Sequence, residues 1–395
     1  MMAQTLLVED EDDETRAIPY AIDTQTNETD MRKMIDKYDA KHKITQENRK
    51  VKDPWGSQRE RIRRKLANKV GLLRRLGCHG KDLDTATARL VAGTMCDAIS
   101  IDSSEVWQMN GTEAGIETQM NDIHRRILGA EYSTAMAGVR HELGVVSQRL
   151  RADAAALKFR NNILSLGDDH LAKRVYVGLR DERGRLGTGH IKNGVRGYLE
   201  KLAEDANWGA TALGKHAAKT KAKKYVAAER RRTFEVELRE RSTLIEYGKI
   251  TPGGRRGLPK YLLRTCPEGL RHGRRLKTKF RLGVHQLQKC QARMVPRNVR
   301  TAAHSRCGCC SAGVDETIKH AVFDCKAHDE IRAEFLGRVT EAYPPFGGMA
   351  TDARLSLLLS DDTPKEIDNI LYRFLIQLFA SRERGLASGP AGGRP

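Results

Sequence analysis

The sequence predicts a mostly α-helical fold, with a helical bundle, a basic helical linker and a small cysteine- and histidine-containing knuckle flanked by helices. Apolar residues recur every three or four positions through most of residues 57–180 and again near the C terminus, which is the pattern of one buried helix face. Four of the eight cysteines fall within a short run that starts at Cys307. A chain of 395 residues has room for two to three domains.

Residues 1–56 are polar and mixed in charge, and they include an acidic run from Glu9 to Glu14. Such a composition does not bury enough apolar surface to fold, so we expect a partly disordered N-terminal segment. Pro54 and Gly56 mark its end, because both residues are common at boundaries between elements.

Residues 57–180 predict a bundle of helices joined by short turns. In the first helix, Ile62, Leu66, Val70 and Leu73 form one apolar stripe. In the third, the residues on one face are Met120, Ile123, Ile127 and Leu128. The predicted helices are Arg59–Leu76, Thr85–Ile101, Glu117–Leu128, Met136–Leu143, Ser147–Leu164 and Asp168–Leu179.

Residues 181–260 predict a basic helical linker. It opens with a polar, glycine-rich stretch and closes with the flexible segment TPGGRRGLPK at 251–260. Between them lies an alanine-rich, helix-prone run from Lys215 to Arg232 that carries eight cations and one acidic residue. Alanine favours the helix while the cations remain available at its surface.

The knuckle region spans residues 261–345, and residues 346–395 predict a C-terminal helix with a disordered tail. Helices are expected at Glu330–Tyr343 and Pro364–Arg382. The second helix has an apolar stripe that would suit a partner protein as well as a core. Its members are Ile367, Ile370, Leu371, Phe374, Leu375 and Leu378.

One short motif contains a complete set of metal ligands. Cys307-x2-Cys310-x9-His320-x4-Cys325 supplies three thiolates and one imidazole. Four ligands of this kind complete a closed tetrahedral zinc site, so we predict structural rather than catalytic Zn²⁺. The two-residue gap lets the first pair bind from a tight turn, and His320 and Cys325 would complete the site from a short helix.

Other cysteines and histidines leave alternatives to this ligand set. Cys309 could replace Cys310, and His304 and His328 are spare ligands nearby. The set could also be buried free thiols beside an incidental histidine. The other four cysteines are scattered, which fits a reduced compartment better than a disulfide framework.

The net charge of +19, from 70 Lys and Arg against 51 Asp and Glu, favours a polyanionic partner, most simply nucleic acid. No apolar run approaches membrane-spanning length and no signal peptide is recognisable, so we predict an intracellular protein without membrane contact. The basic run could also serve as a nuclear localisation patch. The predicted contacts are Lys215, Lys219, Lys221, Lys223, Lys224, Arg230, Arg231, Arg232, Arg274, Arg275, Lys277, Lys279, Arg281 and Arg306.

Several segments occur in a recognisable order. They are Ser104–Trp107 (SEVW), Met120–Gly129 (MNDIHRRILG), His141–Gly144 (HELG), Arg149–Arg151 with Leu157–Phe159, Thr278–Gly283 (TKFRLG), and the knuckle with Glu316-Thr317 and Arg332 around it. Together they resemble the region after the polymerase palm in non-LTR (LINE-type) retrotransposon reverse transcriptases. The resemblance implies a thumb-like bundle that grips a template–primer duplex and a knuckle that holds RNA or target DNA.

The palm of that family is absent from the sequence. Its aromatic-x-Asp-Asp on a strand-turn-strand, which holds two divalent metals, has no counterpart in context. Gly167-Asp168-Asp169 lies between two predicted helices, so we interpret Asp168 as a helix N-cap. We therefore expect a nucleic-acid-binding C-terminal region rather than an enzyme. A divergent RNA-directed DNA polymerase and a zinc-stabilised protein-interaction module are the alternatives.

Overall fold

The computed structural model describes residues 56–78, 83–101, 114–178, 195–241, 244–251 and 257–388. Within them the chain is mostly helical, and the predicted fold class is confirmed. An isolated bridge between Arg306 and Asp315 is the one β-type pairing in these ranges. The predicted N-terminal segment before Gly56, the segment Ser104–Trp107 and the C-terminal tail lie outside the described residues.

The helices closely follow the predicted ones. Those of the described part are α1 Gly56–Arg75, α2 Thr85–Ala92, α3 Ala114–Leu128, α4 Met136–Leu143, α5 Gln148–Leu164, α6 Leu171–Gly178, α7 Val195–Asp205, α8 Lys215–Glu240, α9 Ile245–Ile250, α10 Lys260–Leu263, α11 Arg271–Arg281, α12 Gln288–Gln291, α13 Asp329–Ala342, α14 Thr351–Leu359 and α15 Lys365–Ser388. Helix α2 continues through a π-helical turn, Gly93–Asp97, into Ala98–Ser100.

The first bundle forms around α3, which packs against α2, α4 and α5. Its buried positions Met120, Ile123 and Ile127 recur at helical spacing, so they meet the neighbouring helices along one face. Helix α1 adds its own predicted stripe, of which Ile62 and Leu66 are buried. The sequence therefore identified the inward faces of both helices.

Local signals set the ends of these helices. Ser147 caps α5 because its hydroxyl accepts the Leu150 N–H at 3.2 Å. Gly144 ends α4 in the left-handed conformation, at φ 63°. The N-cap prediction for Asp168 is wrong: helix α6 begins at Leu171, and His170 Nδ1 accepts the Ala172 N–H at 3.2 Å. Asp168 is exposed and pairs with Lys173 instead.

Helix α8, from the predicted basic linker, packs along α5 and reaches α4. Its Ala218 and Ala222 are buried beside Trp208 in a core that α5, α6 and α7 share. Small side chains let the two long helices approach, while the cations of α8 point to other faces. Near its C-terminal end, Phe234 stacks on His141 at a centroid distance of 4.1 Å.

A second large core, which we call the C-terminal core, forms where α11, α13 and α14 surround α15. The apolar stripe predicted for α15 packs into this core, since Ile367, Leu371 and Phe374 are almost fully buried. Gly273 allows the close approach of α11, because a Cβ there would lie 2.3 Å from the carbonyl oxygen of Tyr372. The stripe is therefore an internal surface.

Two buried histidines predict a loss of stability in acid. Burial, reinforced by neighbouring arginines, lowers the pKa of His124 to about 3 and that of His285 to about 3. The ordinary pKa is about 6.5, so the unfolded chain binds more protons and stability falls as pH drops below that value. Each histidine should therefore lower the free energy of unfolding by about 2 kcal/mol between pH 7 and pH 5.

Urea unfolding of wild type and His124→Leu at the two pH values measures this effect. The pH-dependent loss should be about 2 kcal/mol smaller in the variant. An equal loss in both proteins would mean that His124 is not buried in its neutral form.

None of the helices in the described ranges combines the length and apolar composition that crossing a bilayer needs.

Candidate metal centre

The turn from Cys307 to Cys310 is held by a short antiparallel pairing. The Cys307 N–H donates to Val314 O at 2.8 Å, and the Glu316 N–H donates to Ser305 O at 2.8 Å. Ser305 also donates its hydroxyl to Asp315 Oδ1. These bonds on either side of the turn fix the direction in which both sulfurs point.

His320 and Cys325 are brought together by a π-helical turn, His320–Asp324. In an α-helix, residues five apart point roughly 140° away from each other. The wider turn lets the Cys325 N–H donate to His320 O at 2.8 Å, which places both side chains on one side. Thr317 starts the turn by accepting the His320 N–H on its hydroxyl at 3.0 Å.

The four predicted ligands converge. Their ligand atoms all lie within 4.8 Å of one another, close enough to bind one metal ion. The sulfurs of Cys307 and Cys325 are 3.8 Å apart, and Cys310 Sγ lies 3.5 Å from His320 Nε2. The sulfur separation is far longer than the roughly 2.05 Å of a disulfide. All but Cys310 are buried, so the site is closed to bulk solvent on most sides.

The electrostatics of the site favour a bound cation. Burial raises the pKa of the Cys307 thiol and that of Cys325. Backbone N–H groups oppose this effect: those of Cys309 and Cys310 point at the Cys307 sulfur, and that of Ala327 points at the Cys325 sulfur. A divalent ion among the sulfurs supplies the positive charge that stabilises their thiolate form.

Cys309 belongs to a different group from Cys310. It lies with Cys307 and Glu316, and its thiol is 3.9 Å from the carbonyl oxygen of Arg382. The Glu316 carboxylate is already paired with Arg382, because both its oxygens accept from the guanidinium, at 2.7 and 3.0 Å. Of the two adjacent cysteines, Cys310 therefore completes the four-ligand group.

The two spare histidines are engaged elsewhere. His304 Nδ1 accepts the Thr301 N–H at 3.1 Å and caps a short 3₁₀ turn. His328 is buried, and its Nδ1 lies 3.2 Å from the Ser381 hydroxyl. Neither belongs to the group of potential ligands.

The metal centre is fastened to the C-terminal core. The buried Glu316–Arg382 pair joins it to α15. On α13, Arg332 donates through Nη1 to Cys325 O at a distance of 2.9 Å. A Cβ at Gly308 would lie 2.8 Å from Leu386, so the turn sits directly on α15. Ala321 and Val322, between two of the ligands, are themselves core residues. The knuckle is thus part of a larger helical unit.

The basic face of α8 lies mainly at the surface. Among the predicted contacts on this helix, the exposed ones are Lys215, Lys219, Lys223, Lys224, Arg231 and Arg232. Arg230 is half-buried, and Lys221 donates to Trp208 O at 3.2 Å, so its ammonium is partly committed. Arg232 pairs with Glu229.

Three cations predicted to bind nucleic acid are buried instead. Arg274, Lys277 and Arg281 lie on the inward face of α11, so their assignment to a surface is wrong. Lys277 Nζ pairs with Asp368 Oδ1 at 2.7 Å, and Arg274 donates to Arg264 O at 3.1 Å. Burial lowers the pKa of Lys277 to about 8, although Asp368 opposes that effect.

The remaining predicted contacts divide by position. Arg306 is exposed beside the metal centre, whereas Arg275 and Lys279 are half-buried on α11. Lys279 Nζ lies 3.5 Å from Glu131 Oε1. The exposed part of the predicted set is therefore concentrated on α8.

Arg281 belongs to a buried polar network that sequence reasoning missed. Its Nε donates to Glu142 Oε1 at 2.5 Å, and Glu142 also accepts from the Tyr261 hydroxyl at 2.9 Å. Arg281 further contacts Asp361 and Thr251. The available signal was the spacing of Arg274, Lys277 and Arg281 along one helix face.

Comparisons with protein-family models, with curated proteins and with solved structures found no match to this chain.

The two segments His141–Gly144 and Thr278–Gly283, far apart in sequence, meet through the Glu142–Arg281 pair. They therefore form one structural unit in this chain.

Proposed function

We propose that this chain binds nucleic acid through the basic face of α8 and that a structural zinc ion stabilises its C-terminal core. The observation that carries the proposal is the row of exposed lysines on one long helix. Lys215, Lys219, Lys223 and Lys224 make no ion pair with any described acidic residue.

The geometry of this row suits a charged backbone. Lys215, Lys219 and Lys223 follow one another at every fourth position, so they lie along one face of the helix, roughly 6 Å apart along its axis. Repeated like charges of this kind repel one another and destabilise a bare helix. Phosphate groups remove that repulsion, and the counterions they release provide the binding free energy.

The separations between ligand atoms support zinc. Bonds of about 2.3 Å to sulfur and 2.0–2.1 Å to nitrogen imply, at tetrahedral angles, edges of roughly 3.8 Å between sulfurs and 3.6 Å from sulfur to nitrogen. The observed separations are 3.8 Å and 3.5 Å. Three thiolates and an imidazole would leave no position for substrate, so the ion would be structural.

The order of the sequence segments supports a relationship to the post-palm region of LINE-type reverse transcriptases. In that setting the bundle and α8 would bind the template–primer backbone. RNA and DNA are both polyanions that this surface would attract. A nuclear location, with the Lys215–Arg232 run as an import signal, belongs to the same proposal.

Binding to labelled nucleic acid across a range of salt concentrations tests the proposal. Replacing Lys219 and Lys223 with alanine should reduce the slope of log affinity against log salt by about 2, because two phosphate contacts are lost. At 0.1 M salt the affinity should fall by at least about tenfold. Helicity should be retained, since alanine is the best helix former.

The matched control is Lys65→Ala with Lys158→Ala, which removes two exposed cations from α1 and α5. This double variant should bind within about twofold of wild type at the same salt. If it lost as much affinity as the α8 variant, net charge rather than the α8 face would explain binding. Undetectable binding by wild type at low salt would refute the proposed function itself.

A further inference from the structure

The turn between α3 and α4, which contains Tyr132, is held rigidly. Gly129 adopts φ 64°, and a Cβ there would lie 3.3 Å from Arg275 on α11. The Thr134 N–H donates to Glu131 O at 3.0 Å, and Arg125 Nη2 donates to Thr134 O at 3.4 Å. Both ends of the turn are therefore fixed to helices.

Tyr132 projects from this turn into solvent. It is 74% exposed, more than any other large hydrophobic side chain in the described ranges. The Arg125 guanidinium carbon lies 4.9 Å from the ring centroid, so a cation covers one ring face. The ring therefore lies beside a cation while most of its surface is exposed to solvent.

A loop of arginines follows α12. The Arg300 guanidinium donates to Val295 O at 2.8 Å and to Arg293 O at 2.9 Å, which fixes the loop. Arg293 and Arg297 are exposed, and Met294 between them is 64% exposed. The loop therefore presents two guanidinium groups and one apolar side chain to solvent.

The tyrosine turn and the segment before the loop both contact α11 or its end. The Cys290 thiol donates to Gly283 O at 3.2 Å, just beyond the end of α11. Glu131, the acidic residue of the turn, faces Lys279. No Asp or Glu occurs from residue 269 to 314, whereas 11 Lys and Arg do, of which Arg274, Lys277 and Arg281 are buried.

We propose that Tyr132, Arg125, Arg293, Met294 and Arg297, which we call the tyrosine–arginine surface, bind unpaired nucleotides by stacking a base on Tyr132. This inference deepens the proposed nucleic-acid binding and rests on it. An exposed ring stacks on a base only where that base is not already paired and stacked in a duplex. The arginines bind the adjoining phosphates, and Met294 packs against a neighbouring base.

The test compares one sequence in two forms. Fluorescence anisotropy measures binding to oligo(dT) of about 12 nucleotides, alone and annealed to oligo(dA), a length within the usual site sizes. Tyr132→Ala should weaken single-strand binding by about tenfold, because the base loses its stacking partner. Duplex binding should change by less than about twofold, since duplex bases are already stacked.

Two further variants make the outcome specific. Tyr132→Phe keeps the ring and should retain single-strand affinity. Leu90→Ala removes another exposed apolar side chain, on α2, and should change neither affinity. Unchanged single-strand binding in Tyr132→Ala, or an equal loss for single strand and duplex, overturns the stacking role while the proposed function stands.

Two other outcomes bear on the proposed function and on the identity of the ligand. If wild type binds neither form, the proposed function fails and this inference fails with it. If the tyrosine–arginine surface instead binds vesicles rich in phosphatidylserine, and Tyr132→Ala abolishes that binding without affecting oligo(dT), the ligand is a membrane and the inference is overturned.

Discussion

Cys325→Ser is expected to abolish binding of the zinc ion proposed above and to unfold the C-terminal core. Cys325 is fully buried, and its backbone carbonyl accepts from Arg332 of α13. Structural zinc contributes apparent binding free energies of about 10–16 kcal/mol in small zinc modules at neutral pH. That range overlaps the upper part of the roughly 5–15 kcal/mol that stabilises a typical domain. Loss of the ion should therefore affect the helices packed on the site as well as the knuckle.

Hydrogen exchange and metal analysis together measure this effect. Amides of α13 and α15 should lose protection in Cys325→Ser, and the metal content should fall from the one zinc ion per chain that we propose to none. Wild type treated with a chelator should behave in the same way. The amides of α3 and α5, in the first bundle, should be affected less because they lie outside the C-terminal core.

Cys309→Ser is the matched control, since it changes an adjacent cysteine outside the four-ligand group. It should retain the metal ion and most of the stability. Equal loss of metal in both variants would show that Cys309 is a ligand and that the assignment of Cys310 is wrong. A Cys325→Ser protein with full metal content would contradict the site altogether.

Helical periodicity and ligand spacing account for what the sequence could predict. The stripe of Met120, Ile123 and Ile127 identified the inward face of α3 because apolar side chains have one favourable location. The metal ligands could be recognised because few residue types bind metal ions and their spacing reflects a tight turn. The π-helical turn at His320 could not be predicted, since its i→i+5 bond depends on the surrounding packing.

The burial of charged residues could not be predicted from composition. Lys277 and Arg281 occur among surface-type cations, and composition alone places them at the surface. Their partners are far away in sequence: Asp368 is on α15, and Glu142 is on α4. A buried cation needs a partner supplied by the tertiary fold. Single-sequence reasoning sees the cation but not that partner.

Glu142→Ala is expected to destabilise the protein by about 4 kcal/mol, because it leaves the Arg281 charge buried without its main partner. The side chains of both residues are fully buried. Burial opposes the charge on Arg281, yet Glu142 and its neighbours hold the pKa of the guanidinium well above its ordinary value. The pair also joins α4 to α11, so its loss should loosen the first bundle from the C-terminal core.

Urea unfolding at neutral pH measures the change, and Glu334→Ala provides the matched control. Glu334 pairs with Arg338 on the exposed face of α13, where a salt bridge contributes less than about 1 kcal/mol. Replacing both members of the buried pair, as Glu142→Leu with Arg281→Met, should recover part of the loss, because the Arg281 charge is removed and only Asp361 loses its contact with that cation. If the double variant were as unstable as Glu142→Ala, the cost would come from lost packing, from the lost hydrogen bond with Tyr261 and from Asp361 rather than from the unpaired Arg281 charge. Recovery would identify the Glu142–Arg281 pair as a contact in which each charge is tolerated only because the other is present.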